Sequence, residues 1–270
     1  MSDLRSGPGL LAGRVALVSG AGLGLGRFAA IELARHGADI ALGARRADVL
    51  EEVAAEIESM GRRVVWRETD ITSIEDCRAL VEQTVDELGR LDTLVNNAYL
   101  GGSGHRFAES YTSGSDDIWH RTMGTNLYGS LNMTRAAIDP MRVQGDGRVV
   151  MVGTMAVREV KADQGPYAVS KAALLQATRS LAQELGGDGI RVNMILPGYI
   201  RGAAVNAWIL RQAAERDISV AEVEAELAST TSLGAIPTEA EIAGTIVWLA
   251  SDLARPVTGQ AIDVNAGQWM

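Results

Sequence analysis

The chain has 270 residues and a formal net charge of −9, with 47% hydrophobic and 22% charged residues. These values are ordinary for a soluble globular protein, and the length allows one large α/β domain or two small ones. The acidic balance argues against an extended phosphate-binding surface, so we expect no nucleic-acid partner.

The sequence contains few residues suited to a disulfide, a metal site or a membrane segment. Cys77 is the only cysteine, so no intrachain disulfide can form. The three histidines are scattered without ligand spacing, and we expect no metal ion. No apolar run approaches a membrane span, and the first ten residues contain no apolar signal segment. We therefore expect a cytoplasmic protein that does not contact a membrane.

A glycine-rich turn follows the first apolar run, residues 14–19, which is typical of a buried parallel strand. A standard G-x-G-x-x-G does not fit, whereas glycines at positions 20, 24 and 26 do. The helical pattern from Arg27 to His36 comes next, and this order lets backbone N–H groups approach a pyrophosphate. The glycines could serve only to shape the turn, but four within seven residues favour cofactor binding. The candidate contacts here are Gly20, Gly22, Leu23, Gly24 and Leu25.

The end of the second predicted strand, Asp39 to Ala44, should contact the adenosine ribose of such a cofactor. An acidic residue there would accept hydrogen bonds from a free 2′-hydroxyl, which Ala44 cannot do. Arg45 and Arg46 follow, and a guanidinium can clamp a 2′-phosphate. We therefore predict NADP(H) in preference to NAD(H). Asp48 argues slightly against this prediction, and the alternative is that both arginines simply begin a solvated helix.

Strands and helices continue to alternate along the next fifty residues. The pattern predicts a helix over Ala47 to Met60, a strand over Arg63 to Glu68, a helix over Ser73 to Leu88 and a strand over Leu91 to Val95. This βαβαβ order predicts right-handed crossovers and a doubly wound sheet. The turn after the third strand supplies Asp70 and Ile71 as candidate cofactor contacts near the adenine.

Asparagines mark the segment after the fourth predicted strand. The strand ends in Asn96-Asn97-Ala98, and asparagine side chains there can tie adjacent loops together. A long loop over residues 99–115 precedes a helix predicted from Asp116 to Met141, which contains Asn126. Asparagine has poor helix propensity, so the presence of Asn126 inside a predicted helix has to be explained. A plain polar contact is one reason, but the neighbouring motifs favour a role in the site.

Tyr167 and Lys171 are four residues apart at the start of a predicted helix, so they share one face. The lysine charge favours phenolate and brings the tyrosine pKa towards working pH, which suits proton exchange with an alcohol oxygen. The alternative is a solvated lysine beside an amphipathic tyrosine. The chain contains only one other lysine, Lys161, so lysine is not its ordinary surface cation. Thr154 adds a hydroxyl at a strand's carboxyl end, where open α/β sheets bind ligands.

These motifs together resemble the short-chain dehydrogenase/reductase family over nearly the whole chain, from about Gly13 to residues 263–267. The motifs are Ser19-Gly20-x-x-x-Gly24-x-Gly26, Asn96-Asn97-Ala98, Asn126, Thr154, Tyr167-x-x-x-Lys171 and Pro197-Gly198. Each motif alone is weak, but six in register are specific. The resemblance implies one Rossmann-type domain over residues 1–270, with seven parallel strands in a doubly wound sheet flanked by helices. It also implies a homotetramer that moves hydride between NAD(P) and a small-molecule alcohol or carbonyl substrate.

The resemblance implies roles for four catalytic residues. Tyr167 is the expected general acid/base, and Lys171 is expected to lower its pKa and hold the nicotinamide ribose. Thr154 stands in the usual serine position and keeps the hydroxyl that orients the substrate oxygen. Asn126 matches an asparagine that holds a water for proton relay. The further cofactor contacts implied by the resemblance are Asn97, Ala98, Pro197, Gly198 and Ile200.

The substrate side departs from the family pattern in several places. Tyr99 replaces a usual glycine, and Gly202 stands where many members have a threonine that bonds the carboxamide. An N-terminal extension covers about residues 1–12, and a substrate lid is expected over about residues 200–235. Apolar candidates around the reacting atoms predict a lipophilic ketone or secondary alcohol. They are Leu100, Met155, Tyr199, Ile200 and Trp208.

Two alternatives to an NADP-dependent oxidoreductase stay open at this point. One is an NAD-dependent alcohol dehydrogenase of the same family, which differs only in cofactor and direction. The other is a nucleotide-binding sensor or scaffold with little chemistry, which the departures at Thr154, Tyr99 and Gly202 motivate.

Overall fold

The computed structural model describes residues 9–101, 112, 115–160, 162 and 164–270. Strands and helices alternate along these residues. The strands are β1 (Val15–Ser19), β2 (Asp39–Ala44), β3 (Val64–Glu68), β4 (Thr93–Asn96), β5 (Gly147–Val152), β6 (Ile190–Pro197) and β7 (Ala261–Val264). The α-helices are α1 (Leu25–Arg35), α2 (Ala47–Ser59), α3 (Ile74–Leu88), α4 (Asp116–Met123), α5 (Ser130–Gln144), α6 (Gly165–Leu185), α7 (Ala203–Arg216), α8 (Val220–Ser229) and α9 (Glu239–Ala250).

The strands form one seven-stranded sheet in the order β3-β2-β1-β4-β5-β6-β7, and every neighbouring pair is parallel. The predicted doubly wound parallel sheet is therefore confirmed. The chain moves outward from β1 to β3 and then returns to place β4 on the other side of β1. This reversal opens a crevice at the carboxyl ends of β1 and β4, where open α/β sheets bind ligands.

Helices cover both faces of the sheet because successive strand residues point to opposite sides. Ala16 and Val18 of β1 belong to an apolar cluster that includes residues of α1, α2 and α9. Leu17, between them, belongs to a cluster that includes residues of α3, α5 and α6. These two cores hold the carboxyl ends of the strands in fixed relative positions. None of the helices in the described residues combines the length and the apolar composition needed to cross a bilayer.

The helical region after residue 115 is more divided than the sequence predicted. In place of one helix to Met141, a π-helical segment, Gly124–Gly129, joins α4 to α5, and α5 continues to Gln144. A π-helical turn widens the helix locally and is frequent at functional sites. Asn126 lies in this segment and is fully buried, so its low helix propensity coincides with the irregular turn.

The two predicted extra segments have different structures. In the predicted lid region, α7 and α8 pack against each other around a small apolar cluster that includes Ile209 and Val223. Of the predicted N-terminal extension, residues 1–8 lie outside the described residues. Leu11 is buried, and its N–H donates to the carbonyl oxygen of His36 at 2.8 Å, so the chain from Gly9 packs on the end of α1.

Asp39 joins the beginnings of β2 and β3. Its carboxylate accepts hydrogen bonds from Arg62 Nη2 at 2.6 Å and from Arg63 Nε at 2.8 Å. The backbone N–H of Arg63 also donates to it at 3.1 Å. Burial alone would raise the pKa of Asp39, but these arginine hydrogen bonds outweigh it and hold the pKa below its ordinary value of 3.8. A carboxyl group with a lowered native pKa stabilises the fold above its unfolded pKa.

We expect Asp39→Asn to lower the free energy of unfolding at pH 7 by roughly 1–3 kcal/mol, since the arginines lose a charged acceptor. The difference from the wild type should shrink as the pH falls below 3.8, because the native carboxylate then becomes protonated. Urea unfolding at several pH values measures this. Asp86→Asn, at an exposed position on α3, is the matched control. Equal effects of both variants at pH 7 would contradict the assignment.

Candidate active site

A cleft of about 390 Å³ lies at the carboxyl ends of the strands. Its walls come from the turn after β1, the loops after β4, β5 and β6, and the beginnings of α6 and α7. Many of the residues predicted to bind the cofactor or the substrate line this cleft. They are Leu23, Gly24, Leu25, Asn97, Thr154, Met155, Tyr167, Lys171, Pro197, Gly198, Tyr199 and Ile200.

Close packing or a positive φ explains three of the glycines in the turn after β1. Gly20 has a φ of +76°, and a Cβ there would overlap the backbone nitrogen of Ala98. Gly24 has a φ of +90°, and a Cβ at Gly26 would overlap the carbonyl oxygen of Gly20. Asn97 Nδ2 donates to that same oxygen at 2.8 Å, so the asparagine ties the two loops together as its position predicted. The first turn of α1 therefore lies against the strand ends.

This turn fits the pyrophosphate of a dinucleotide. Helix α1 begins at Leu25, and its N-cap, Gly24, makes no side-chain hydrogen bond to the first N–H groups of the helix. Leu23, Gly24 and Leu25 line the cleft, so the positive end of the helix dipole is at the cleft wall. Uncapped N–H groups at a helix N-terminus bind phosphate oxygens. The conformation of this turn leaves room for a phosphate close to the backbone.

Thr154, Tyr167 and Lys171 meet at the end of β5. The Thr154 hydroxyl accepts a hydrogen bond from the N–H of Ala156 at 3.2 Å and is hydrogen-bonded to the side chain of Tyr167. Lys171 is only 2% exposed, and its Nζ donates to the carbonyl oxygen of Val152 at 2.8 Å. Burial lowers the pKa of Lys171 to about 7. The lysine therefore exchanges a proton readily near neutral pH.

The pKa of Tyr167 is shifted in the direction opposite to the sequence expectation. Burial raises the pKa of the phenol, the hydrogen bond with Thr154 opposes this, and nearby Tyr99 adds to the increase. The sequence expectation of a lowered Tyr167 pKa rested on the charge of Lys171 alone. Burial disfavours both charged forms, the phenolate and the ammonium, and it has the larger effect in the structure. Tyr167 is therefore a protonated phenol at neutral pH.

Asn126 braces the loop after β4 against α6. Its Oδ1 accepts from the N–H of Leu100 at 2.7 Å, and its Nδ2 donates to the Leu100 carbonyl oxygen at 3.0 Å. The same Nδ2 donates to Ser170 Oγ at 2.9 Å, and Ser170 Oγ donates to the carbonyl oxygen of Tyr167 at 2.7 Å. The amide thus acts on the position of Tyr167 through Ser170. A water held by Asn126 stays a prediction.

Comparison with known proteins agrees with this geometry. A family model described as "Enoyl-(Acyl carrier protein) reductase" matches residues 20–268, a span that contains the glycine turn, the asparagines and the Tyr-Lys pair. This chain belongs to the short-chain dehydrogenase/reductase family. Like its relatives, it is an oxidoreductase that acts on CH–OH groups with a nicotinamide cofactor and a small-molecule substrate. The sensor or scaffold alternative is therefore set aside.

The relatives of this short-chain dehydrogenase/reductase have different named substrates. It is 34% identical to "L-rhamnose 1-dehydrogenase (NAD(P)(+))" of Sphingomonas sp. (strain SKA58), over 97% of this chain and 98% of the relative. It is also 34% identical to "Cyclohexanol dehydrogenase" of Rhodococcus sp. (strain TK6), over 95% of this chain and 96% of the relative. The structure of carveol dehydrogenase from Mycobacterium avium in complex with NAD matches with a TM-score of 0.87 at 28% identity, over 96% and 99% of the two chains.

Tyr99 distinguishes this dehydrogenase/reductase from the family pattern. The Tyr99 ring centroid is 6.2 Å from that of Tyr167, and the two rings are tilted by 58°. Lys171 Nζ lies 5.8 Å from the Tyr99 centroid, within the range of a cation–π interaction. The ring lines the cleft. Tyr99, in the loop after β4, therefore lies beside both Tyr167 and Lys171.

Several predicted cofactor contacts lie away from the cleft lining. Gly20, Gly22 and Ala98 lie in the turns behind it, and Ile71 is buried in the core. Arg46 is exposed and bonds Asp48, with N–O distances of 2.6 and 3.1 Å. Asp70 accepts from the N–H and hydroxyl of Thr72 at 2.9 and 2.8 Å. Arg45 is exposed and has no hydrogen-bond or ion-pair partner within the described ranges.

Two predicted substrate contacts are placed behind the cleft in this dehydrogenase/reductase. Leu100 bonds Asn126 through its backbone and is outside the lining. Trp208 stacks on Tyr199 with centroids 6.3 Å apart, so it supports the cleft wall and does not form it. The Trp208 ring packs against the apolar cluster of α7 and α8, and a direct substrate contact by Trp208 stays a prediction.

The sequence argument missed polar residues that the fold brings to the site. Ser170 stands next to Lys171 in the sequence, and its position inside the Tyr-x-x-x-Lys motif is a signal that could have identified it. Glu159, Gln164 and Glu239 line the cleft. Glu239 is 68 residues beyond Lys171, at the beginning of α9, and no local pattern marks it.

We expect Gly26→Ala to destabilise the protein by about 1–3 kcal/mol, because the new Cβ overlaps backbone that cannot move freely. In a helix without such an overlap, the same change stabilises by about 0.5–1 kcal/mol. Gly22→Ala is the matched control, since a Cβ there meets no atom within 4 Å. Denaturant unfolding of both variants measures the difference. A Gly26→Ala protein as stable as the Gly22→Ala protein would disprove the close approach.

Proposed function

We propose that this chain is an oxidoreductase that prefers NADP(H) and interconverts a lipophilic ketone and a secondary alcohol. The pair formed by half-buried Tyr167 and buried Lys171, with the Thr154 hydroxyl bonded to Tyr167, is the observation that supports the chemistry most directly. A phenol and an alcohol hydroxyl at the closed end of a cleft can both hydrogen-bond one substrate oxygen.

The protein groups handle the proton in this proposal. The glycine turn would hold the pyrophosphate of the dinucleotide, and Pro197, Gly198 and Ile200 would lie beside its nicotinamide, which would supply or accept the hydride. In reduction, the proton of Tyr167 passes to the carbonyl oxygen as the carbon receives the hydride. Lys171 replaces that proton, and Thr154 orients the substrate oxygen. The carbonyl group has then gained one hydride and one proton and has become the alcohol.

The raised pKa of Tyr167 suits the phenol to the proton donation that reduction requires. A raised pKa keeps the phenol protonated at neutral pH, so it is ready to donate. Oxidation needs the phenolate, which burial disfavours. The lowered pKa of Lys171, about 7, makes the ammonium a proton donor of suitable strength.

Apolar side chains in the cleft support a lipophilic substrate. Met155, Tyr199, Ile200 and Val205 line it, and the relatives named for cyclohexanol and carveol carry alicyclic substrates in their names. A polyhydroxylated substrate is the second candidate, and the carboxylates of Glu159 and Glu239 in the lining favour it. The relative named for L-rhamnose is the corresponding precedent.

Residues at the end of β2 and in α7 support the cofactor preference and the lid. Arg45, at the end of β2, is exposed and unpaired among the described residues, which supports NADP(H). Arg46 is paired with Asp48, so of these two arginines only Arg45 has a guanidinium free of partners in the described part of the chain. The NAD-dependent alternative therefore stays open. Residues 203–205 of α7 line the cleft, which supports a lid over residues 200–235. The single domain, the homotetramer and the cytoplasmic location stay predictions.

Tyr167→Phe tests the chemistry. We expect the turnover number for ketone reduction to fall by about 10²–10⁴, since this variant loses only the proton donor. Dinucleotide affinity should stay within about twofold, because the ring is kept and phosphate binding dominates. Steady-state kinetics and a fluorescence titration give the two values. Tyr128→Phe, at an exposed position, is the matched control. Full activity of Tyr167→Phe would refute the mechanism.

Arg45→Ala tests the cofactor preference. We expect NADPH binding to weaken about tenfold, because a charge-assisted bond to the 2′-phosphate is lost, while NADH binding stays unchanged. Fluorescence titrations at matched low salt measure both affinities. Arg78→Ala, at an exposed arginine on α3, controls for the loss of one positive charge. Tighter binding of NADH than of NADPH by the wild type would favour the NAD-dependent alternative.

A further inference from the structure

Glu239 places a carboxylate in the wall of the cleft, and the proton-transfer chemistry makes no use of it. It is the first residue of α9 and is half-buried. Its neighbours in the lining include the small or apolar residues Ile200, Gly202, Ala203 and Val205. A carboxylate in such surroundings benefits from a hydrogen-bond donor on whatever fills the cleft.

Glu239 occupies the space that a side chain at position 202 would need. A Cβ built on Gly202 would overlap Oε1 of Glu239 and lie 2.9 Å from its Cδ. Gly202 has an extended backbone with a φ of −151°, which any residue adopts, so backbone strain does not require glycine there. The missing side chain leaves room for the carboxylate at this point of the wall.

The neighbouring groups leave this carboxylate free. Glu241, and not Glu239, caps α9, since its carboxylate accepts from the N–H and hydroxyl of Thr238 at 2.8 and 2.9 Å. Arg201 stands next to Gly202, but its guanidinium pairs with Glu224 at 3.0 Å. Among the residues described by the structure, the Glu239 carboxylate has no hydrogen-bond or ion-pair partner.

We propose that Glu239 is a binding residue whose carboxylate accepts a hydrogen bond from a neutral N–H or O–H group of the bound molecule. The donor is either the carboxamide of the nicotinamide ring or a second hydroxyl of the substrate. An anionic group at this position is repelled. The proposal rests on the cleft being the binding site for the dinucleotide and substrate, and it makes Glu239 a determinant of which molecule binds.

Two variants probe this contact in different ways. Glu239→Ala removes the acceptor. Gly202→Ala keeps the acceptor but displaces it, because the new Cβ takes the position of Oε1. If both act through the same contact, the double variant binds no more weakly than Glu239→Ala alone. Glu215→Ala, on the exposed side of α7, is the control for loss of a negative charge.

The dinucleotide experiment is a titration with NAD⁺, NADP⁺ and their 3-acetylpyridine analogues, in which a methyl ketone replaces the carboxamide and no N–H remains. If the carboxamide is the donor, the wild type binds the carboxamide forms about tenfold more tightly, as for a bond to a charged group. Glu239→Ala and Gly202→Ala then lose this preference, and Glu215→Ala keeps it. This readout needs no turnover, so it stays interpretable even if the proposed reaction fails.

The substrate experiment measures the thermal shift that L-rhamnose or cyclohexanol adds to the protein saturated with NADP⁺. If a second hydroxyl is the donor, L-rhamnose stabilises the wild type and this shift disappears in Glu239→Ala, while the response to cyclohexanol is unchanged. Either pattern supports the proposal and identifies the donor. Unchanged analogue preference together with unchanged thermal shifts in both Glu239→Ala and Gly202→Ala overturns it. Circular dichroism of each variant checks that the fold is kept.

Discussion

The geometry of the site depends on the buried amide of Asn126. A fully buried amide that lacks partners costs about 1–3 kcal/mol, so its bonds to Leu100 and Ser170 are strongly maintained. They hold the loop after β4 at a fixed distance from the first turn of α6, and that turn carries Tyr167. The π-helical segment places the amide between those two elements, since a regular helix would direct the side chain differently. One side chain thereby links three segments that are far apart in sequence.

Burial determines the protonation states around this framework. Lys171 is buried and Tyr167 is half-buried, and this partial or complete loss of water disfavours the charged form of each. The tyrosine is a protonated acid, and the lysine has a pKa of about 7, so after Tyr167 has given its proton to the substrate a proton from the Lys171 ammonium restores the neutral phenol and leaves a neutral amine. Tyr99 reinforces this arrangement with an aromatic face towards Lys171. The chemistry thus depends on the burial of these two side chains as much as on their identity.

The two walls of the cleft have different physical characters. On one side, the parallel sheet and the glycine turn are held by two large apolar cores and by the Asn97 bond to Gly20. That wall suits a cofactor whose shape does not vary. On the other side, α7 and α8 have only a small cluster of their own, so their position relative to the sheet depends on fewer contacts. Substrate selection by the residues of α7 would therefore act on the less constrained wall, whereas Glu239 stands at the start of α9, which packs in a large core.

The sequence by itself determined the strand and helix order, the parallel sheet, the glycine turn and the Tyr167–Lys171 pair, because periodicity and short spacings carry that information. Even so, it placed a regular helix at Asn126, where the structure has a π-helical segment. Only the tertiary structure decided the direction of the Tyr167 pKa shift and the role of Ser170. It also decided that the Glu239 carboxylate fills the space that a side chain at position 202 would need. Burial and contact between distant segments control these features, and no local pattern in the chain shows which side chains will be buried together.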